Sequence, residues 1–324
     1  MKKILKRVGI ILIVVIAIFI FSGIHFDIPR GELEEKYAIG PSQFLDLSDG
    51  TRIHFRDEGN TKNPTIILLH GFNGSLFNFD RLIPLLVEDY RLVSLDLPGF
   101  GLTGAIPSSD YTTESFMDTV TALTMHLGIE NFSIAGNSMG GGVAWRDALN
   151  NPRKIESLIL IASSGVMTEE DLKKFTERKD NSPVVWRLMN SEILKRFLNY
   201  YTPKFFATQG LKVSVYDQNL ANIEHAMQFH DLVLLEGSRN AILSMSMGSR
   251  SKMHGPESLS RIEAPTLVIH GDKDNIIPIE RSQVFEEYID KVEVKIYSQI
   301  GHLPMYEDPN KTANDIKSFL QNLN

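Results

Sequence analysis

Ile134-Ala-Gly-Asn-Ser-Met-Gly-Gly-Gly142 is the stretch on which the reading of this chain turns. Within it, Gly136-Asn137-Ser138-Met139-Gly140 is a G-x-S-x-G pattern, entered from a short apolar run, Phe132 to Ala135. A helix-compatible segment, Val143 to Leu149, follows directly. Strand, sharp turn and helix together make a nucleophile elbow. Such a turn forces the serine into a strained backbone conformation that only small neighbours tolerate, and Gly136, Gly140 and Gly141 are those neighbours. The expected result is an exposed Ser138 hydroxyl at the tip of a sheet, beside a helix N-terminus. A bare G-x-S-x-G also occurs in glycine-rich structural turns, so the surroundings decide.

Outward from the elbow, Thr65–Leu69, Tyr90–Leu95, Ile155–Ile161, Pro265–His270 and Val292–Tyr297 read as strands. Continuous apolar runs among them suit a parallel sheet buried on both faces. Phe77–Glu88, Thr112–Leu127, Glu280–Ile289 and a segment from Asn310 read as helices between them. That alternation predicts an α/β fold, a mostly parallel sheet with helices on both faces. Two alternating segments, Gln43–Leu47 and Arg52–Arg56, joined by Ser48-Asp-Gly-Thr51, predict a leading hairpin. Ligands of such sheets bind beyond the carboxyl ends of the strands, where His70 and Ser138 fall.

The alternation stops between Gly165 and Pro256, where helical periodicity carries scattered aromatics and methionines. Residues 165–256 therefore read as a helical cap, inserted between core segments 43–164 and 257–324. Residues 27–42, polar and holding Pro29, Gly31, Gly40 and Pro41, read as a linker. Before them, Lys2, Lys3, Lys6 and Arg7 precede an uncharged stretch, Val8 to Phe26, apolar without a break to Phe21. As a helix this stretch spans roughly 28 Å, close to the hydrocarbon thickness of a bilayer. Residues 1–26 are thus expected to form an N-terminal transmembrane anchor, N-terminus inside and the remaining chain extracytoplasmic. The alternative is a signal peptide cleaved to release a secreted protein, although Ile20-Phe-Ser-Gly-Ile-His-Phe26 lacks a good small-residue cleavage site.

With 324 residues the chain has room for one large α/β domain with an insertion. Its net charge of −7, with basic residues dispersed beyond the N-terminal group, gives no reason to expect a nucleic-acid partner. The absence of cysteine excludes disulfides, thiolate catalysis and cysteine-ligated zinc. His225 and His230 lack metal-ligand spacing and read as cap surface or pocket lining, so no metal or other cofactor is expected.

A serine hydroxyl needs a base, and the base an orienting carboxylate. Both should lie at strand ends on the side of Ser138. Gly271-Asp-Lys-Asp274 follows one strand and Gly301-His302 another. With His70-Gly71-Phe72 and the elbow, these four ordered motifs make the chain from residue 43 onward resemble the α/β-hydrolase-fold superfamily, in its serine esterase and lipase branch. The resemblance implies Ser138 as nucleophile, His302 as general base and acid, and Asp274 as orienting acid, with Asp272 as runner-up. It implies an oxyanion hole from the backbone N–H groups of Phe72 and Met139. His70, Gly71, Gly136 and Gly140 would support it, and His70 and Asp96 are expected to be structural.

Among reactions of that fold, a serine at the elbow disfavours haloalkane dehalogenases and epoxide hydrolases, which use aspartate there. Gly-Asn-Ser-Met-Gly-Gly is also similar to the elbow of meta-cleavage-product C–C hydrolases. Those usually carry a tryptophan shortly after the histidine and a matching cap arginine, whereas this chain has Leu303-Pro-Met305. Gly301-His-Leu-Pro-Met305 looks more like bacterial lipases, and membrane-anchored monoacylglycerol lipases share the N-terminal anchor. The expectation is a membrane-anchored carboxylic ester hydrolase acting on acyl esters such as monoacylglycerols, with no protein partner. C–C hydrolysis, and a non-catalytic binding protein on the same fold, are the alternatives.

Overall fold

The computed structural model describes residues 7, 10, 21–166, 197, 199–248 and 254–323. Eight strands form one sheet in the order β1-β2-β4-β3-β5-β6-β7-β8. β1 (Ser42–Asp46) and β2 (Arg52–Glu58) make the expected antiparallel hairpin, and β2 lies antiparallel to β4 (Arg91–Leu95). All other pairings are parallel, through β3 (Thr65–Leu69), β5 (Phe132–Asn137), β6 (Ile155–Ile161), β7 (Thr266–Gly271) and β8 (Val292–Tyr297).

β3, β4, β5 and β7 are buried at every position, because side chains pack on both faces of the sheet. On one face, Phe116 and Val120 of helix Thr113–His126 meet Val143 and Trp145 of helix Met139–Asn150. On the other, Ile316 and Phe319 of helix Pro309–Gln321 pack with Leu86. Burying a large apolar side chain of this kind contributes about 1.5–3 kcal/mol, so the central strands are the most firmly held part of the chain. β3 and β5 lie side by side within them, and their carboxyl ends present His70 and Ser138.

Three expectations need correction or restriction. The helix expected over Phe77–Glu88 is instead a 3-10 turn, Leu76–Phe79, and a single α-turn, Ile83–Leu86. Pro84 explains the break, since proline is tolerated only in the first turn of a helix. Residues 27–42 are not an open linker, for they hold a helix, Arg30–Tyr37. Its apolar anchor is Leu33, 1% exposed, and polar contacts supply the rest: Arg30 donates to the Leu102 and Thr103 carbonyls, and Lys36 and Tyr37 donate to Asp231. The membrane span falls almost wholly outside the described residues, and among the described residues no helix is long and apolar enough to cross a membrane.

Within 165–256 the described residues include three helices, Lys204–Ser214, Ile223–Val233 and Ser238–Gly248. The N-terminal segment packs against them. Ile24 bridges to Tyr201 and Ile28 to Leu235, with backbone bonds from His25 N to Tyr200 O and from Thr202 N to Gly23 O. Arg239, buried in the third helix, donates to the His25 carbonyl and to Asp27 Oδ1 at 2.5 Å.

Candidate active site

Ser138 stands between β5 and helix Met139–Asn150 with φ 54° and ψ −117°, a left-handed strained conformation for a residue with a Cβ. Its N–H donates to Ile161 O at 3.0 Å, and its carbonyl accepts from Gly142 and Ser164. The flanking glycines are required by close approach. A Cβ on Gly136 would lie 2.3 Å from the Gly140 backbone, and one on Gly140 would lie 2.3 Å from Leu69 O. Ser138 as a residue is 8% exposed, and it lies in the wall of a cavity.

His302 follows β8, and its Nδ1 lies 2.7 Å from Asp274 Oδ2. Asp274 also receives the N–H groups of Ile276 and Ile277 on Oδ1, at 2.8 and 2.9 Å. His270 Nε2 lies 3.1 Å from Asp274 Oδ2. Burial opposes ionisation of Asp274, but the hydrogen bonds from His270 and His302, with the backbone N–H of Ile277, outweigh it. They hold its carboxyl well below the usual carboxylate range. An ionised Asp274 accepts a proton-bearing Nδ1 from His302 and leaves Nε2 as the free basic nitrogen. Asp272 points elsewhere, accepting from Gln299 N at 2.7 Å, so the structure gives the histidine partner as Asp274.

The loop His70-Gly71-Phe72 lies against the elbow, since a Cβ on Gly71 would come within 3.0 Å of Ser138 Cβ. His70 is wholly buried and braces this loop, with Nδ1 2.7 Å from Gly71 O and Nε2 accepting from Leu97 N at 3.0 Å. Burial pushes the imidazole below its ordinary pKa, which suits this neutral bracing state. Asp96 is the next brace, accepting from Leu76 N and Leu102 N at 2.7 Å and lying 2.6 Å from His54 Nδ1. Met139 opens its helix, so its N–H has no intrahelical acceptor and is available at the elbow.

Ser138, His302 and Phe72 line one cavity of about 700 Å³, together with Phe206, Leu211 and Ile242 from the cap segment. Most of its lining is apolar. His230 and Arg239 add polar groups to the wall. His225, by contrast, stacks on Tyr306 at 4.8 Å with its edge toward Phe229. Among the described residues no group of three or more His, Cys, Asp or Glu is arranged to hold a metal ion.

Three contributors escaped the sequence reading. His270 is the second histidine on Asp274, and the Ser282 hydroxyl, 2.7 Å from its Nδ1, orients it. Asn137 donates through Nδ2 to Ile161 O and to His302 O, both at 3.1 Å. Glu307 accepts from Gly301 N and Tyr216 N at 2.7 Å, binding the histidine loop to the end of a cap helix. His270 and Asn137 stand directly beside motif residues, the one signal that could have raised them.

The sequence profile of the alpha/beta hydrolase fold matches residues 64–309, from the start of β3 past the His302 loop. The chain belongs to the α/β-hydrolase family. This α/β hydrolase is 29% identical to Lipase 1 of Psychrobacter immobilis over 279 residues, covering 85% of this chain and 82% of that one. It is 26% identical to 2-hydroxymuconate semialdehyde hydrolase of Pseudomonas sp. strain CF600, covering 85% of this chain and 92% of that one. Among solved structures, one described as a membrane phospholipase A superposes with a TM-score of 0.70 at 24% identity, covering 100% of this chain and 99% of that one. That likeness speaks to the fold. Lipases and C–C hydrolases thus both stand among the relatives of this hydrolase.

Proposed function

We propose that this α/β hydrolase is a serine carboxylester hydrolase that cleaves acyl esters, such as monoacylglycerols, through an acyl-enzyme. The observation that carries the reading is His302, held by Asp274 at 2.7 Å and lining with Ser138 one mostly apolar cavity. Ser138 Oγ attacks the ester carbonyl as His302 takes its proton, and Asp274 stabilises the imidazolium. The tetrahedral oxyanion is received by the backbone N–H groups of Phe72 and Met139, each contributing about 3 kcal/mol in sites of this kind. His302 then protonates the departing alcohol. Water activated by the same histidine attacks the acyl-enzyme and frees the acid.

Placement at a membrane belongs to the same proposal. Residues 1–26 would hold the chain in the cytoplasmic membrane, N-terminus inside, with the catalytic domain extracytoplasmic; cleavage to a secreted form is the alternative.

C–C hydrolysis is the second reading, favoured by the relatives of that activity and by a buried cap arginine, Arg239, on the cavity wall. Against it, Arg239 is already engaged by Asp27 and the His25 carbonyl. A panel of esters of rising acyl length, a monoacylglycerol and a dienoic diketo acid separates the readings. Turnover of esters, lost in Ser138→Ala, is the expected result. Turnover of the diketo acid alone overturns it.

A further inference from the structure

The cap carries an aromatic face that the chemistry above does not use. Exposed Phe26, Phe197, Phe205 and Phe206 lie on it, and exposed Phe21 precedes it in the chain. Ring contacts join Phe197, Tyr201, Phe206 and Phe205 into one group, and Phe26 pairs with Tyr200, the residue next to Tyr201 in the chain. Phe26 meets exposed Tyr200 at 6.3 Å, Phe197 stacks on Tyr201 at 5.0 Å, and Tyr201 meets Phe206 at 6.2 Å. Phe205 lies 6.5 Å from Phe206. The face is strongly solvated in the isolated chain, with Phe26 76% and Phe205 59% exposed. Contiguous apolar patches of this kind are rare on soluble monomers and mark a surface that something covers.

Two observations say what covers it. The uncharged run Val8 to Phe26 enters the described structure here, at Phe21, and Ile24 bridges to Tyr201 within the face. The face also reaches the active-site cavity, since Tyr201 and Phe206 line both. We infer that this aromatic face seats on a phospholipid bilayer, so that the cavity mouth opens into the lipid interface. Phenylalanine and tyrosine suit that depth, where an apolar ring meets a polar headgroup layer. Exposed Lys204 opens the helix carrying Phe205 and stands next to it in sequence, where a snorkelling cation would reach above acyl chains. An ester moving from bilayer to Ser138 then crosses aromatic surface instead of water. The inference rests on the membrane placement proposed above, but not on which bond is cleaved.

The chain has no cysteine, so Phe26→Cys, Phe205→Cys and Met125→Cys each give a single site for a nitroxide label. All three side chains are exposed, and Met125 lies on a core helix away from the cap. Full-length protein is floated with phosphatidylcholine–phosphatidylglycerol vesicles, and label collisions with oxygen and with a water-soluble nickel chelate are compared. The oxygen-to-nickel ratio at 26 and 205 should exceed that at 125 by roughly tenfold, as for side chains sunk into the acyl boundary. An equal ratio at 205 and 125 in floated protein overturns docking and leaves the anchor standing. A label at 205 shielded from both reagents overturns it in favour of a second copy of the chain. Protein that fails to float overturns docking and anchor together. Ser138-dependent ester turnover in the same samples reports separately on the hydrolase reading.

Discussion

The side-chain amide of Asn137 donates to the carbonyl of His302 at 3.1 Å, across 165 positions of sequence. The residue before the proposed nucleophile therefore holds the backbone of the proposed base. Its second N–H holds Ile161 at the end of β6, so one amide ties the ends of β5 and β6 to the loop after β8.

Asn137→Leu removes both donors from a buried site. The His302 carbonyl loses its partner, at about 1–3 kcal/mol, while Ile161 O keeps the Ser138 N–H. Displacing His302 relative to Ser138 should lower ester kcat by roughly 100-fold, because small misplacements of reacting groups carry that penalty. Chemical denaturation and steady-state kinetics measure the two losses. Unchanged kcat in a folded variant would show that the tie does not position the base.

The pair of histidines on Asp274 predicts a graded series. Asp274→Asn should lower kcat by about 10⁴-fold through the wrong imidazole tautomer. His270→Leu should cost only about tenfold, through loss of one hydrogen bond to the carboxylate. His270→Gln, which restores a donor, should recover most of that. Equal losses in all three would contradict a supporting role for His270.

Acid should loosen the joint between cap and core. Burial, with the nearby Arg81 guanidinium, pushes His225 down to about 4 from its ordinary 6.5. The unfolded chain thus binds a proton that the fold refuses. Stability is whole above pH 6.5 and falls between pH 6.5 and 4, by up to about 3 kcal/mol from this group. Urea midpoints at pH 7 and pH 4.5 should differ less in His225→Phe than in the native chain. The same slope in both would place the acid sensitivity elsewhere.

Asp27→Ala leaves buried Arg239 without its carboxylate. Because Asp27 is partly solvated, the cost should be about 2 kcal/mol, less than for a fully enclosed pair. Asp27→Ala combined with Arg239→Met should regain part of it. A double-mutant cycle by urea denaturation reads the coupling directly, and a coupling of zero would mean the pair does not hold the segment.

Much of the architecture was legible because the parallel strands announce themselves. Ile66–Leu69 and Leu158–Ile161 are apolar on both faces, and a run of that kind between turn signals without helical period has few other uses. Ser138, Asp274 and His302 were legible through their neighbours, glycines that let the backbone approach closely. Asn137, His270 and Glu307 were not, since their work is done on carbonyls, carboxylates and amides brought close only by folding. The helix Arg30–Tyr37 was hidden for a related reason. Its apolar contacts come from Leu33 and Tyr37 alone, and polar contacts such as Arg30 with Leu102 hold the rest, so no periodic apolar stripe betrays it.

The docking of residues 23–28 onto residues 200–239 has a consequence for the order of assembly. The first of these segments leaves the ribosome long before its partner, and strands β1 to β6 lie between the two in sequence. Closing so long a loop costs little more than closing a moderate one, yet nothing rewards it until the cap exists. The segment is therefore among the last to lock. Contacts formed after the rate-limiting barrier leave the folding rate unchanged and slow unfolding. Asp27 and Arg239 thus govern how long the folded chain survives, while the sheet governs how quickly it forms.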